Sequence, residues 1–160
     1  MLTELRGHHA RLVRWLDDHR NLCDAAQPDY RALRHVRWQI AQASRQRLAF
    51  LTGTVFPFVE KHGHLKAAAG LLTLRNETPA YGQVLSAFIA RWSMEAVMAD
   101  PGGYALAAQD YRRDADKRLF AEERHLRLLT TEVEWPPGGV FVVPNRNAAS
   151  TGLPSSRPVS

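Results

Sequence analysis

The chain has 160 residues, of which 45% are apolar, and it carries a formal net charge of +5. This length and composition indicate a single globular domain and exclude a disordered chain. No apolar run approaches the roughly 18 residues of a membrane span, and the opening MLTELRGHHARL lacks the apolar stretch of a signal peptide. We therefore expect a cytoplasmic protein that makes no membrane contact.

Arginine dominates the basic charge of the first part of the chain. Residues 1–64 carry ten Lys or Arg against six Asp or Glu. Such an excess is one signature of nucleic-acid binding, but here the acids lie between the bases along two helical segments. The pattern is more typical of a solvated helical surface, and we predict no direct contact with nucleic acid.

The first segment alternates apolar side chains and histidines at spacings of four and three residues, from Leu5 to Cys23. This period predicts an amphipathic helix over about Thr3–Asp24. Pro28 breaks the pattern, and Asp29 is a suitable N-terminal cap for the helix that follows.

The second segment is predicted to be helical from about Tyr30 to Lys61. It contains FLTGTVFPFVE, residues 50–60, in which Gly53 and Pro57 both disfavour a regular helix. We expect a bend there. The three phenylalanines of this stretch span most of the helix circumference. Either at least one of them faces a partner, or the next short segment, HLKAAAGLLTL, folds over them.

Two further helices complete the predicted fold. The third is predicted to begin at Pro79, with Thr78 as its cap, and to end near Met98. The fourth follows the helix stop in residues 100–103 and is predicted over Tyr104–Thr131. No part of the first 131 residues alternates with the period of a strand. The prediction is an all-α fold, an antiparallel four-helix bundle over residues 1–131.

The composition changes after this point. Residues 132–160 are rich in Pro, Ser, Asn and Gly and contain few residues that could bury apolar area. We predict that they form a disordered C-terminal tail outside the folded domain.

The seven histidines invite comparison with helical bundles that hold iron through His and Glu one turn apart. Arg47 and Arg118 stand where such ligands would be needed, and a guanidinium stays protonated and does not ligate metal. We predict no metal and no cofactor, with a hemerythrin-like bundle of degenerate ligands as the alternative. Cys23, the single cysteine, is expected to pack as a small hydrophobe. No motif of nucleophilic catalysis is present, so no catalytic residue is predicted.

One set of charged residues lies along the predicted fourth helix. Asp114, Arg118 and Glu122 are spaced i, i+4 and i+8, which places them on one helix face. Two interpretations stay open. The residues form either a surface ladder of salt bridges or a polar network between helices that fixes their register.

Three pieces of the chain, in order, resemble the regulator of sigma D family, the Rsd/AlgQ anti-sigma factors. The first is LVRWLDDHRNL, residues 12–22, and the second is FLTGTVFPFVE. The third is RLFAEERHL, residues 118–126. The positions that match the family's motifs are Arg14, Trp15, Leu16, His19, Leu22, Phe50, Leu51, Thr52, Phe56, Glu60, Arg118, Glu122 and Glu123.

This resemblance implies a four-helix bundle that is not an enzyme. It implies binding to the C-terminal region of the primary sigma factor, which keeps that sigma factor from core RNA polymerase. The partner-binding residues would be Trp15, Ala49, Thr52 and Phe56, with Ala49 standing where the family has an acid. The structural polar network would be Asp114, Arg118, Glu122 and Glu123. A monomer or weak dimer is expected, and a helical adaptor for another protein is the remaining alternative.

Overall fold

The spacing of apolar residues produces helices throughout residues 1–132, which are the residues that the computed structural model describes. The helices are α1 (Leu2–Cys23), α2 (Tyr30–Phe50), α3 (Phe56–Lys61), α4 (Ala68–Arg91), α5 (Met94–Ala99) and α6 (Pro101–Glu132), with a π-helical turn (Leu51–Val55) between α2 and α3. This part of the chain contains no strand, which confirms the all-α prediction. It also holds no helix with the length and apolar character needed to cross a membrane. The predicted tail lies outside the described residues, apart from Glu132 at the end of α6.

Helix α1 begins and ends close to its predicted bounds, and α2 begins at Tyr30 as predicted. The segment predicted as one helix to Lys61 is divided into α2, the π-helical turn and α3. The stripe of α1 is buried from Leu5 to His19. Asp29 caps α2 as predicted, since its side-chain Oδ1 accepts a hydrogen bond from the backbone N–H of Ala32 at 2.9 Å. This bond satisfies one of the free donors at the start of the helix.

Replacement of this cap is expected to have a moderate effect on stability. Asp29→Ala should lower the free energy of unfolding by about 1 kcal/mol, because one donor of α2 loses its acceptor. Urea unfolding followed by circular dichroism measures the change. Asp29→Ser, which keeps a capping oxygen, is the control, and its free energy of unfolding should stay close to that of the parent chain. Equal losses in the two variants would contradict the capping role.

The helix continues through Gly53 and Pro57 because its hydrogen-bond pattern changes locally. The N–H of Phe56 bonds to the carbonyl of Leu51, five residues back. Pro57 has no N–H to give, and it lies just after the π-helical turn, where the regular hydrogen-bond pattern is already interrupted. The two breakers are therefore accommodated by a π-helical turn, a feature that inserts one extra residue into a helix.

The π-helical turn decides where the phenylalanines of this stretch point. Phe50, Phe56 and Phe58 are 9%, 4% and 7% exposed, so all three are buried. They share one apolar cluster with Leu71 and Leu74 of α4. Of the two alternatives left open by the sequence, the second holds, because the start of α4 folds over the aromatic side chains.

The predicted start of a helix at Pro79 is wrong. Helix α4 begins eleven residues earlier, at Ala68, and runs through this proline. Pro79 is exposed, and Thr78 is not a cap but donates its hydroxyl hydrogen to the carbonyl of Leu74 at 2.8 Å. The same helix ends at Arg91, and α5 follows as a separate helix capped by Ser93. A proline removes one backbone bond, and the buried residues of the preceding half hold this helix together.

The contacts between helices define their relative directions. In α1, His9 meets Glu122 of α6, whereas His19 meets Tyr104, so α1 and α6 are antiparallel. Arg11 bonds Gln46 at 2.7 Å, and Trp15 contacts His35, so α1 and α2 are antiparallel too. Helix α4 also opposes α6. Its Leu74 carbonyl accepts from Arg118, and Phe88 stacks on Tyr111.

Candidate functional site

A buried ion cluster lies at the centre of the helices. The carboxylate of Glu122, which is 0% exposed, accepts from Nη1 of Arg47 at 2.6 and 2.7 Å. It also accepts from Nε of Arg118 at 2.9 Å. Nε2 of His9 lies 3.1 Å from the second carboxylate oxygen. We refer to His9, Arg47, Arg118 and Glu122 as the buried ion cluster.

Arg118 extends the buried ion cluster to α4. Its Nη2 donates to the carbonyl of Leu74 at 2.6 Å and to the hydroxyl of Thr78 at 2.9 Å. Its Nη1 reaches the carboxylate of Glu77 at 3.1 Å, at the protein surface. The cluster therefore joins α1, α2, α4 and α6 through side chains that can meet only in one register.

The charged groups of the buried ion cluster stabilise each other's ionised forms. Burial alone would raise the pKa of Glu122, but the hydrogen bonds from His9, Arg47 and Arg118 outweigh it, and the pKa is lowered. Nε and Nη2 of Arg47 find no acceptor among the described protein atoms. The ring of Tyr81 covers this guanidinium at 5.2 Å, a distance at which a cation and an aromatic face attract.

The geometry supports a structural role for the buried ion cluster. Two of its four members are guanidiniums, which stay protonated and do not bind metal. Within residues 1–132, no three side chains of His, Cys, Asp or Glu lie close enough to hold a metal ion. The hemerythrin-like alternative therefore finds no ligand set in this part of the chain.

A second buried polar contact lies nearer the other end of α1. The hydroxyl of Tyr104 bonds Nε2 of His19, while Nδ1 of that ring lies 3.9 Å from Sγ of Cys23. Burial, followed by the charges of Arg37 and Arg112, lowers the pKa of His19 to about 4. Burial also raises the pKa of the Cys23 thiol to about 11. At neutral pH this thiol is protonated, which disfavours it as a nucleophile.

The four residues predicted for the polar network separate into two groups. Arg118 and Glu122 belong to the buried ion cluster. Asp114 is exposed and pairs with Lys117 at 3.4 Å. Glu123 pairs with Arg6 and Arg127 near the surface. Arg118 and Glu122 thus form a polar network between helices, whereas Asp114 and Glu123 form salt bridges near the surface.

The sequence did not predict His9 and Arg47 as members of the buried ion cluster, nor Thr78 as a partner of Arg118. A signal for Arg47 was present. It lies with Ser44 between Ile40 and Leu51, at spacings of four, three and four, so both occupy positions of the apolar stripe. An arginine at such a position must be buried with a partner.

The predicted partner-binding residues have different surroundings. Trp15 is half-buried, with the guanidinium of Arg14 at 4.6 Å from its ring centre. Ala49 and Thr52 are exposed, and the Thr52 hydroxyl donates to the carbonyl of Leu48 at 2.9 Å. Phe56 is buried, because the π-helical turn rotates it into the apolar cluster, and it is not part of a surface.

Ala49 and Thr52 belong to a longer exposed surface of the second helical segment. Spacings of four, seven, four and three residues connect its members, which places them on one side of the helix. We call this surface, made by Arg34, Trp38, Arg45, Ala49 and Thr52, the outer face of α2.

Comparisons with known proteins do not assign the chain to a family. No protein-family model matches the sequence, and no curated protein or solved structure is significantly similar to it.

Proposed function

We propose that this chain is a transcription regulator of the anti-sigma type. It binds the C-terminal region of the primary sigma factor and keeps that factor from core RNA polymerase. In this proposal α1, α2, α4 and α6 form an antiparallel four-helix bundle, which is consistent with the directions of their contacts. The protein acts by stoichiometric binding and not by catalysis.

The observation that carries this proposal is the exposure of Ala49 and Thr52. They are two of the three positions of this helical segment that the resemblance assigns to sigma binding, and both are exposed, whereas the third, Phe56, is buried. They lie at the junction of α2 and the π-helical turn, and Gly53 beside them leaves open space. A partner helix can approach closely where side chains are this small.

The buried ion cluster supports the proposal indirectly. The resemblance places Arg118 and Glu122 in a structural role, and both are buried with hydrogen-bonded partners. A helix face presented by a rigid scaffold binds with a smaller entropic cost than a mobile one. The cluster would hold α2 in place against α1 and α6.

Calorimetric titration with the C-terminal region of the host's primary sigma factor tests this function. Saturable one-to-one binding is expected, and Thr52→Arg should weaken it about tenfold or more by filling the contact surface. Thr73→Arg is the matched control. Thr73 is also an exposed threonine bonded to a carbonyl four residues back. Absence of binding by a folded protein, or equal losses in the two variants, would refute the proposed surface.

Restoring the acid at position 49 provides a gain-of-function test. Because the family has an acid where this chain has Ala49, Ala49→Asp is expected to strengthen binding to the sigma region about tenfold. The gain should shrink as salt rises, since close charge pairs at a rim are screened. Gln46→Asp, one turn earlier at an exposed position, is the control and should give a smaller gain.

A further inference from the structure

Three members of the outer face of α2, Arg34, Trp38 and Arg45, line a groove whose lining does not include Ala49 or Thr52. This groove of about 380 Å³ lies between α2, the end of α4 and the start of α5. Its principal lining residues, which define the Trp38 groove, are Arg34, Trp38, Ala41, Arg45, Ile89 and Met94.

The Trp38 groove has an apolar floor with large exposed side chains. Trp38 is 56% exposed and Ile89 is 37% exposed. Ala41 and Met94 complete the apolar part of the lining. An exposed tryptophan beside a concave apolar surface is the kind of side chain that contributes most to protein–protein binding.

The charge of the groove is of one sign. No acidic residue lines it. Arg34 and Arg45 are exposed and form no hydrogen bond or ion pair within residues 1–132. Arg37 differs, because its guanidinium donates hydrogen bonds to the carbonyl of Trp92 and to Sδ of Met94. Its side chain is therefore fixed within the lining of the groove. Two guanidiniums are thus left to bind groups that the described chain does not supply.

The nearest acid on α5 does not neutralise these arginines. Glu95 follows Met94, but its carboxylate is held by its own backbone N–H and by the hydroxyl of Ser93, which together lower its pKa. The charge of Arg34 also lowers this pKa, but Arg34 and Glu95 form no ion pair. Arg34 therefore remains open to a carboxylate from another molecule.

We propose that the Trp38 groove binds an acidic amphipathic helix of a partner protein. From Arg34 to Arg45 the α2 helix advances about 16 Å at 1.5 Å per residue, which matches three turns of a partner helix. Apolar residues of that helix would cover Trp38 and Ile89, while carboxylates at its edges pair with Arg34 and Arg45.

A single-stranded nucleic acid is the competing occupant of a basic surface with an exposed aromatic. Such binding requires a continuous basic track and several stacking rings. Here Trp38 is the one ring among the groove's lining residues, and the floor beside it is aliphatic. The chemistry of the lining therefore favours a peptide helix with carboxylates.

The test uses the full chain and three fluorescein-labelled probes at moderate salt. The first is a 15-residue model helix with leucines along one face and glutamates elsewhere. The second carries lysine in place of each glutamate, and the third is a 15-nucleotide oligothymidylate. Fluorescence anisotropy is expected to show saturable one-to-one binding of the glutamate peptide and weaker binding of the other two. Tightest binding of the oligothymidylate, or no binding of the glutamate peptide, would overturn the proposal.

Charge-matched variants locate the binding. The double variant Arg34→Glu, Arg45→Glu is expected to bind the glutamate peptide about tenfold or more weakly. Trp38→Ala should lower the affinity for this peptide as well. The control double variant, Arg113→Glu with Arg124→Glu, has the same net charge at exposed positions of α6 and should keep the affinity. Equal losses in the two double variants would refute the groove as the site.

This inference is independent of the proposed sigma partner. Because Arg45 lies one turn before Ala49 on the same outer face of α2, Arg34→Glu alone separates the two sites. It should weaken binding of the glutamate peptide and leave the titration with the sigma region unchanged. If the parent chain binds the glutamate peptide but not the sigma region, the proposed function fails while the groove stands. If it binds the sigma region but not the peptide, the groove proposal fails while the proposed function stands.

Discussion

Glu122→Gln is expected to lower the free energy of unfolding by about 3–5 kcal/mol. The substitution keeps the shape of the side chain and removes its charge. Arg47, which is 0% exposed, then loses the anion that accepts both hydrogen bonds of its Nη1. Arg118 keeps only Glu77, at the surface, as an anionic partner. Urea unfolding followed by circular dichroism measures this loss. The dependence of the free energy of unfolding on urea concentration should stay unchanged.

The adjacent glutamate provides the control for this prediction. Glu123→Gln removes the same charge, but its pairs with Arg6 and Arg127 are near the surface, and a loss under about 1 kcal/mol is expected. If the two substitutions cost the same, the buried ion cluster is not the source of stability that its geometry indicates.

A triple variant separates the loss of a charge partner from the loss of the whole cluster. Arg47→Met, Arg118→Met and Glu122→Leu together remove the three buried charged side chains, keep a similar volume and leave His9 in place. This variant is expected to be more stable than Glu122→Gln, because a buried ion pair costs desolvation that an apolar replacement avoids. A triple variant that is less stable than the single one would contradict this account.

The second large expected effect is a loss of stability in mild acid that depends on His19. Its pKa is lowered to about 4 in the folded chain, whereas an unfolded histidine takes up its proton near 6.5. The unfolded state therefore binds more protons between these values. The contribution of neutral His19 to the free energy of unfolding is fully present above pH 6.5. It is lost as the pH falls towards 4, by roughly 3 kcal/mol in total.

Urea unfolding at several values between pH 7 and pH 5 measures this dependence. Within that window Glu122 stays ionised, because its pKa is lowered and its contribution is lost only at more acidic pH. His19→Gln should flatten the curve, while His35→Gln, at an exposed position of α2, should leave it unchanged. His8, whose pKa burial also lowers, remains in both variants. A pH dependence as steep in His19→Gln as in the parent chain would exclude His19 as its cause.

Local periodicity explains how much of the fold was predictable. The stripe from Leu5 to His19, the cap at Asp29 and the helical character of residues 30–61 follow from interactions within a few residues. The start of α4 was not predictable in this way. Pro79 is a local signal for a helix start, and only the packing of the preceding half against α6 and the phenylalanines overrides it.

The candidate surfaces were predictable in part. The resemblance selected Ala49 and Thr52, which are exposed, and Phe56, which is not. A regular helix would place Phe56 one turn beyond Thr52 on the same face, but the π-helical turn inserts a residue between them. Trp38, which no motif covered, became a candidate only when α4 and α5 completed the groove beside it.

By itself, the sequence determined that residues 1–131 form helices without strands and which faces of most of these helices are buried, since these depend on the order of apolar and polar residues. The tertiary structure alone decided that Glu122 meets His9 and Arg47, which lie 113 and 75 residues away along the chain. A buried charge must find a partner because desolvation leaves it no alternative. Which partner it finds depends on the register in which distant helices pack, and no local pattern contains that information.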